Sequence, residues 1–315
     1  YQLSIESMIH MLKDNGEMGI ICPSTLFADI STAKLRKYML SRHKISYIKY
    51  FSEDDPLFDN ITQATCIFHL SKNGRTTSIE IEQCNRNFNI SIDNVKRLFS
   101  ENWEIPSIDK IEWDILAKLE SQKKVKDCSY IRNKRGELDL TLYKGYITSS
   151  PTKLRLVRGN MLTENGIIDK NKEYVSLDFL KKKSSDYMKF DYGRKRLVCQ
   201  QISNQTQRVR LKFLISDEND ILGNSCNYIT VPIDIISIVS VLLNSALLNW
   251  RFKITSTNNH INNYELDELP MINIEELPAS IVDSLPLDRD RVICKLYGLN
   301  ELETNYIIKQ YYETI

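Results

Sequence analysis

Positively charged and apolar side chains alternate in the stretch QRVRLKF, residues 207 to 213. Successive side chains of a strand point to opposite faces. The spacing therefore predicts a half-buried strand with Arg208, Arg210 and Lys212 on its outer face. Ordinary solvated strands mix their outward charges, whereas a face of one sign is suited to an anionic partner. We expect these three cations to contact such a partner.

A second set of cations lies upstream in TKLRLVRG, which contains Lys153, Arg155 and Arg158. The whole segment from 123 to 212 contains 22 lysines and arginines against 9 acidic residues, a net charge of +13. A basic block of this size is the electrostatic signature of a surface that binds nucleic-acid phosphates, and arginine can also bind guanine edges. The KKK run at 181 to 183 fits an ordinary solvated surface equally well.

Side-chain amides are concentrated in the stretch STNNHINN, which contains Asn258, Asn259 and His260. Amides and an imidazole can bind base edges, and asparagine is suited to adenine. The same residue types commonly form turns and helix caps. The sequence leaves both interpretations open, and a lone histidine is no evidence of catalysis.

One aromatic residue, Phe58, lies in the acidic and turn-rich stretch DDPLFDN, just before an apolar run. A ring in such a loop can project into a cleft and stack on a ligand. Alternatively, it packs the loop onto the neighbouring sheet. The residues alone do not decide between the two.

The elements around Phe58 form the pattern of an α/β fold. The predicted helices cover residues 3 to 14 and 32 to 42, and the predicted strands cover 18 to 22, 45 to 51, 64 to 70 and 77 to 84. This order predicts the far half of an α/β sheet that ends in an antiparallel edge, with its first strand covered on both faces. From 88 to 122 the pattern turns helical.

The remainder of the chain is predicted to be a separate α+β region. Turn signals divide the basic block into short strands, and the apolar stretch 233 to 254 predicts a core helix or helix pair. We place domain boundaries to give three parts, residues 1–104, 105–273 and 274–315, the last being a helical tail.

Composition excludes some classes of protein. No apolar run of 18 or more residues occurs and no signal-peptide pattern opens the chain, so we expect a cytoplasmic protein without membrane contact. The seven cysteines form no C-x-x-C pair, and the four histidines are widely separated. We therefore predict no metal site.

Four stretches resemble one family in the same order. LKDNGEMGIICPSTLF followed by LRKYML resembles the second half of the catalytic domain of gamma-class, TaqI-like adenine-specific DNA methyltransferases, including those of type IIS and IIG restriction-modification systems. PLFDNITQATCIFHLSK resembles their motif VIII. KLRLVRGNML and VLLNSALLNWRFKITSTNNHINNYELDELPM resemble the two ends of their target recognition domain, and LDRDRVICKLYGLNELE resembles their C-terminal tail.

The resemblance implies the rear half of a Rossmann-like methyltransferase sheet followed by an α+β target recognition domain that binds double-stranded DNA. It implies methyl transfer from S-adenosylmethionine to the exocyclic amine of an adenine that has left the duplex, with Phe58 stacked on that base. The family's glycine-rich motif and its Asn-Pro-Pro-Tyr/Phe tetrapeptide do not occur in these residues. We expect both upstream of Tyr1, together with the catalytic residues and most of the cofactor site, and expect this chain alone to be inactive.

Two other functions remain open on sequence grounds. The chain could be a non-catalytic DNA-binding specificity module, or a scaffold whose basic block binds acidic proteins. With the methyltransferase interpretation, a cognate restriction endonuclease is a further expected partner.

Overall fold

A computed structural model describes residues 1–52, 57–58, 63–83, 86–106, 108–169, 172–256 and 259–313. The chain divides into two compact units. The first contains Tyr1–Ala117 and Lys253–Asn258, and the second contains Lys118–Phe252 and Asn259–Ile315. The boundary therefore follows Ala117, whereas the sequence places it near residue 104, and the C-terminal tail belongs to the second unit.

The first unit is built on one mixed sheet. Its elements are α1 (Gln2–Met11), β1 (Glu17–Pro23), α2 (Ala33–Arg42), β2 (Lys44–Phe51), β3 (Thr65–Ser71), β4 (Ser78–Gln83), β5 (Arg86–Ser91), α3 (Ile92–Leu98) and α4 (Lys110–Glu120), which runs on into the second unit.

The strands of this sheet are arranged in the order β1-β3-β2-β4-β5. Strand β3 is antiparallel to both β1 and β2, so β1 and β2 run in the same direction and helix α2 connects them. Alternate residues of β3 are buried, including Phe68 and Leu70, because one face of the sheet forms the core. The predicted β-α-β order is confirmed.

Two sequence predictions for this unit are wrong. Strand β5 covers residues 86–91 and pairs with β4, so residues 88–91 form a strand where we expected helix. Strand β1 has β3 as its hydrogen-bonded neighbour among the described strands, and Ile21 on it is 49% exposed. Within this chain it is therefore not covered on both faces, because an apolar sequence shows the burial that a strand can tolerate and not the burial that it has.

The second unit contains short strands and helices. They are β6 (Lys123–Lys124), β7 (Arg132–Arg135), β8 (Ile147–Thr148), β9 (Arg155–Val157), β10 (Leu162–Thr163), β11 (Gly166–Ile167), β12 (Tyr174–Val175), α5 (Ser185–Phe190), β13 (Leu197–Gln200), β14 (Leu214–Ile215), β15 (Asp220–Leu222), β16 (Cys226–Thr230), α6 (Ile236–Leu243), α7 (Ala246–Thr255, whose end lies in the first unit), α8 (Asn263–Asp267), β17 (Pro270–Met271), α9 (Pro286–Leu296) and α10 (Glu301–Tyr312).

Two four-stranded sheets organise this unit, in the orders β15-β9-β12-β8 and β14-β13-β16-β7. Two clusters of buried apolar residues accompany these sheets, one around Leu156 and Phe179 and the other, which contains residues of both sheets, around Val157, Val198 and Tyr228. Two segments of the backbone approach each other closely at Gly136 and Gly223. A Cβ at residue 136 would lie 2.0 Å from the Gly223 carbonyl oxygen. Glycine is required there for steric reasons.

The apolar stretch 233 to 254 folds as the predicted helix pair, α6 and α7. Among the described residues, no helix combines the length and the apolar character needed to cross a bilayer.

Candidate nucleic-acid interface

Phe58 lies in the connection between β2 and β3 of the first unit, and its side chain is 46% exposed. The neighbouring Leu57 is 36% exposed. Phe58 is therefore accessible to solvent, as its expected stacking role requires. β2 ends at Phe51, so this connection leaves the carboxyl end of the strand, the edge at which α/β sheets commonly bind ligands.

The connection between β1 and α2 lies at the carboxyl end of β1 and is fixed by a buried arginine that the sequence analysis missed. Arg36 is 0% exposed. Its guanidinium donates to the carbonyl oxygens of Leu26 at 2.8 Å and Asp29 at 3.0 Å, and to the Thr32 hydroxyl at 2.9 Å. It also donates to the carbonyl oxygens of Asn102 and Trp103 at 2.7 to 3.0 Å. Arg36 thereby fixes residues 26–32 against residues 102–103.

The arginines of the TKLRLVRG stretch are engaged in ion pairs. Arg155 at the start of β9 faces Asp220 on the parallel strand β15 and donates to both carboxylate oxygens at 2.7 Å. Arg158 donates to both oxygens of Glu173 at 2.7 and 2.9 Å. Each arginine keeps about a quarter of its side chain exposed, 27% and 26%. Lys153, in contrast, is exposed.

The lysine run at 181 to 183 contains cations in two different environments. Lys181 pairs with Asp178 on the surface, and Lys182 is exposed. Lys183 instead donates to the Glu137 carbonyl oxygen at 2.6 Å and lies 4.9 Å from the centre of the Phe179 ring. Burial lowers the pKa of Lys183. A run of identical residues therefore contains one structural and two surface cations.

Residues 207–213 do not form the predicted strand. The hydrogen-bonded strand begins at Leu214, and Arg210 is 1% exposed. Its guanidinium donates to the Ser203 carbonyl oxygen at 3.2 Å and stacks 5.0 Å from the Phe252 ring centre. This burial removes Arg210 from the candidate DNA contacts. The alternating pattern failed because long arginine stems pack well in an interior when the head finds acceptors.

The other two cations of this stretch are accessible. Arg208 is exposed, donates to the Tyr311 carbonyl oxygen at 3.1 Å and stacks on the Tyr311 ring at 5.7 Å. Lys212 is part-exposed and lies 3.5 Å from a carboxylate oxygen of Glu164. Both remain candidate contacts because neither head is enclosed.

The amides of the STNNHINN stretch make intramolecular bonds. Asn259 accepts the Gln205 N–H through Oδ1 at 2.9 Å, and Asn262 caps helix α8 in a reciprocal arrangement with Glu265. His260 is exposed and forms a backbone bridge with Ile202. Asn258 lies outside the described residues. The candidate contacts Asn259 and His260 thus lie next to the loop that precedes Arg208.

Comparison with known proteins relates the chain to restriction-modification enzymes. A family model described as Eco57I restriction-modification methylase matches residues 1–58, from α1 to the exposed ring of Phe58. No curated protein sequence matches the chain. The match covers the first unit only in part and does not extend to the second.

One solved structure shows a related fold. The type IIL restriction-modification enzyme MmeI, solved in complex with DNA, is 12% identical with a TM-score of 0.53, and the similarity covers 100% of this chain and 49% of MmeI. The type IIG restriction endonuclease BpuSI is 10% identical with a TM-score of 0.36, over 99% of this chain and 49% of BpuSI. The chain therefore spans about half the length of each of these enzymes.

Proposed function

We propose that the chain is part of a site-specific DNA methyltransferase of a restriction-modification system that methylates the exocyclic amine of adenine. The first unit, as the rear half of a Rossmann-like sheet, receives the extruded adenine on Phe58. The second unit, as a target recognition domain, binds the duplex. The observation that carries the proposal is the match of the methylase model to β1, α2 and β2, which ends at an exposed aromatic ring.

Base extrusion gives Phe58 a physical role. The amine of adenine is unreachable inside a duplex, so the base must leave the stack and lose its stacking energy. An aromatic side chain restores about 1 to 3 kcal/mol of that stacking. The exposed ring of Phe58 can supply it without a rearrangement of the core.

The described residues do not supply a cofactor cradle. The glycines of residues 1–117 are Gly16, Gly19 and Gly74, which lie before β1, within β1 and between β3 and β4. None opens a helix after a strand, where a glycine-rich loop lets the backbone approach a ligand. S-adenosylmethionine supplies the methyl group in the proposed reaction, but this chain does not present the elements that hold it, and we derive no step through it.

Duplex binding and base extrusion test the proposal. Selection from a pool of duplexes with a randomised core should first yield a preferred sequence for the 315-residue chain. 2-Aminopurine at each adenine of that sequence should then become fluorescent at one position when the chain binds, and Phe58→Ala should weaken that signal about 10-fold. A preferred sequence without fluorescence at any adenine would favour the non-catalytic specificity module, and absence of duplex binding would refute both.

The proposal also makes a prediction about the methyltransferase activity of the 315-residue chain by itself. The 315-residue chain with S-adenosylmethionine and its preferred duplex should transfer no methyl group, because the tetrapeptide and glycine-rich motif are absent from its sequence. Incorporation of radioactive methyl from the cofactor into DNA measures this. Turnover by the chain alone would show that other residues perform the chemistry.

A further inference from the structure

Residues 201–208, QISNQTQR, form a loop that is rich in side-chain amides, and we name it the amide loop. It lies between β13 and the segment that leads to β14 in the second unit. Asn204, Thr206, Gln207 and Arg208 are exposed, whereas Ser203 is buried. The loop thus presents polar groups to solvent from a buried base.

The base of the amide loop is held on both sides. The buried Arg210 donates to the Ser203 carbonyl oxygen, and Asn249 donates to the Arg208 carbonyl oxygen at 3.0 Å. The Oδ1 atom of Asn249 accepts the N–H groups of Arg210 and Leu211 at 2.8 and 3.2 Å. Helix α7 therefore holds the chain immediately after the loop through one buried amide.

The tip of the loop is fixed as well. Asn204 accepts the Thr206 N–H and hydroxyl at 3.0 and 3.1 Å, which closes a turn, and its carbonyl oxygen accepts the Gln207 N–H at 3.1 Å. Asn259 accepts the Gln205 N–H and, through its carbonyl oxygen, the Ser203 N–H. Few rotatable bonds remain to be ordered when a ligand binds, which lowers the entropic cost of recognition.

Within this loop the amide of Gln207 is oriented. The buried Ser203 hydroxyl donates to Gln207 Oε1 at 3.0 Å. This bond occupies one lone pair of Oε1, so the exposed Gln207 keeps the second lone pair and the N–H of Nε2 on the oxygen's side of the amide for a ligand. That pair of groups matches the N6 donor and N7 acceptor that adenine presents in the major groove.

We infer that Gln207 is a specificity-determining residue that reads an adenine in the major groove of the recognised duplex. The inference rests on the proposed function and adds a base contact to it. Ser203 acts as a positioning residue through its hydroxyl, and Arg208 contacts a phosphate beside the read base. The adenine that Gln207 reads remains in the duplex and is distinct from the extruded adenine.

The experiment compares the unsubstituted chain with Gln207→Ala, using duplexes chosen by selection from a randomised pool. Gln207→Ala should lose the preference for adenine at one position, with about a 10-fold loss of discrimination there and unchanged binding to unrelated duplexes. Gln122→Ala, a part-exposed glutamine after α4, should leave the selected sequence unchanged. Ser203→Ala should reduce the preference by a smaller factor, because the amide can then rotate.

Replacement of the read adenine by 7-deaza-adenine removes the N7 acceptor and isolates the proposed bond. The unsubstituted chain should bind this duplex about 10-fold more weakly, whereas Gln207→Ala should bind both duplexes equally. A selected sequence that Gln207→Ala does not alter would overturn the inference and leave the proposed function intact. A chain that selects no sequence, or that binds no duplex, would overturn both.

Discussion

Buried arginines are held in different ways in the two units. In the first, the bonds of Arg36 go to backbone carbonyl oxygens and one hydroxyl, and they fix the connection after β1. In the second, Arg196 is 1% exposed and donates to both oxygens of Glu137 at 3.0 and 3.2 Å. Arg155 pairs with Asp220 in the same manner. The first unit uses a guanidinium to fix a loop, whereas the second does so with Arg210 and in addition uses buried and part-buried ion pairs.

The ion pairs of the second unit change how the net positive charge of residues 123–212 is interpreted. Several of the arginines counted in the net charge of residues 123–212 neutralise carboxylates inside the second unit, so they add little to the potential that a duplex would meet. The cations that remain exposed, such as Lys153 and Arg208, carry the proposed DNA contacts.

The largest expected effect comes from the second unit. Glu137→Ala should destabilise that unit by about 3 to 5 kcal/mol, because it leaves the buried guanidinium of Arg196 without its carboxylate. Urea unfolding followed by amide hydrogen exchange in β13 reports this unit by itself. Asp178→Ala, which removes the surface partner of Lys181, should have no measurable effect, and an equal loss in the two variants would contradict the distinction between buried and surface pairs.

The corresponding change in the first unit should be smaller. Arg36→Met should cost about 2 to 3 kcal/mol, because backbone carbonyls of residues 26–32 lose a donor but no buried charge is left behind. Exchange of the β2 and β3 amides in urea measures the loss. Lys34→Met, an exposed position on the same helix, serves as the control. A loss that exceeds that of Glu137→Ala would reverse the comparison.

Salt dependence separates exposed from enclosed cations within one stretch. Lys153→Ala should reduce the slope of log binding constant against log salt by about 1, as expected for one lost phosphate contact. Arg155→Ala should leave the slope unchanged and lower the stability of the second unit, because its charge is already matched by Asp220. Titrations with an unrelated duplex at several salt concentrations measure the slopes. Equal changes of slope would place Arg155 among the DNA contacts.

The smallest expected effect concerns pH. Burial raises the pKa of Asp290 above its ordinary value of 3.8, although Oδ2 accepts the Tyr312 hydroxyl at 2.7 Å and Oδ1 accepts the Ala246 N–H at 2.8 Å. The folded state therefore binds its proton more tightly than the unfolded state. The stability that protonated Asp290 contributes to the folded state is fully present below pH 3.8. It is lost as the pH rises through the pKa that Asp290 has in the folded state.

The substitution Asp290→Asn tests whether Asp290 causes this loss of stability with rising pH. Asparagine keeps an acceptor for Ala246 and gains a donor for Tyr312, so the variant should lose the decline in stability that sets in above pH 3.8. Urea midpoints of the second unit at several pH values measure it. An identical decline in the variant and the unsubstituted chain would assign the pH dependence to another group.

The sequence predicted the first unit better than the second. The β-α-β order and most element bounds followed from apolar periodicity, because that unit is built from long strands and regular helices. β5 was missed because RNFNIS carries few apolar residues. In the second unit the strands contain two to five residues, too few to show a period, and the stretch 207–213 imitated a strand that does not form.

Sequence by itself determined which residue types were available: a basic block of 22 cations, a loop with an aromatic ring at Phe58, and a cluster of amides at 201–208. Only the tertiary structure decided which of them face solvent. Arg210 and Arg208 are two residues apart, yet one is buried and the other is exposed. The reason is that charge is a property of the residue, whereas burial depends on acceptors that other segments bring to each side chain, such as the Ser203 carbonyl oxygen for Arg210 and the Glu137 carboxylate for Arg196.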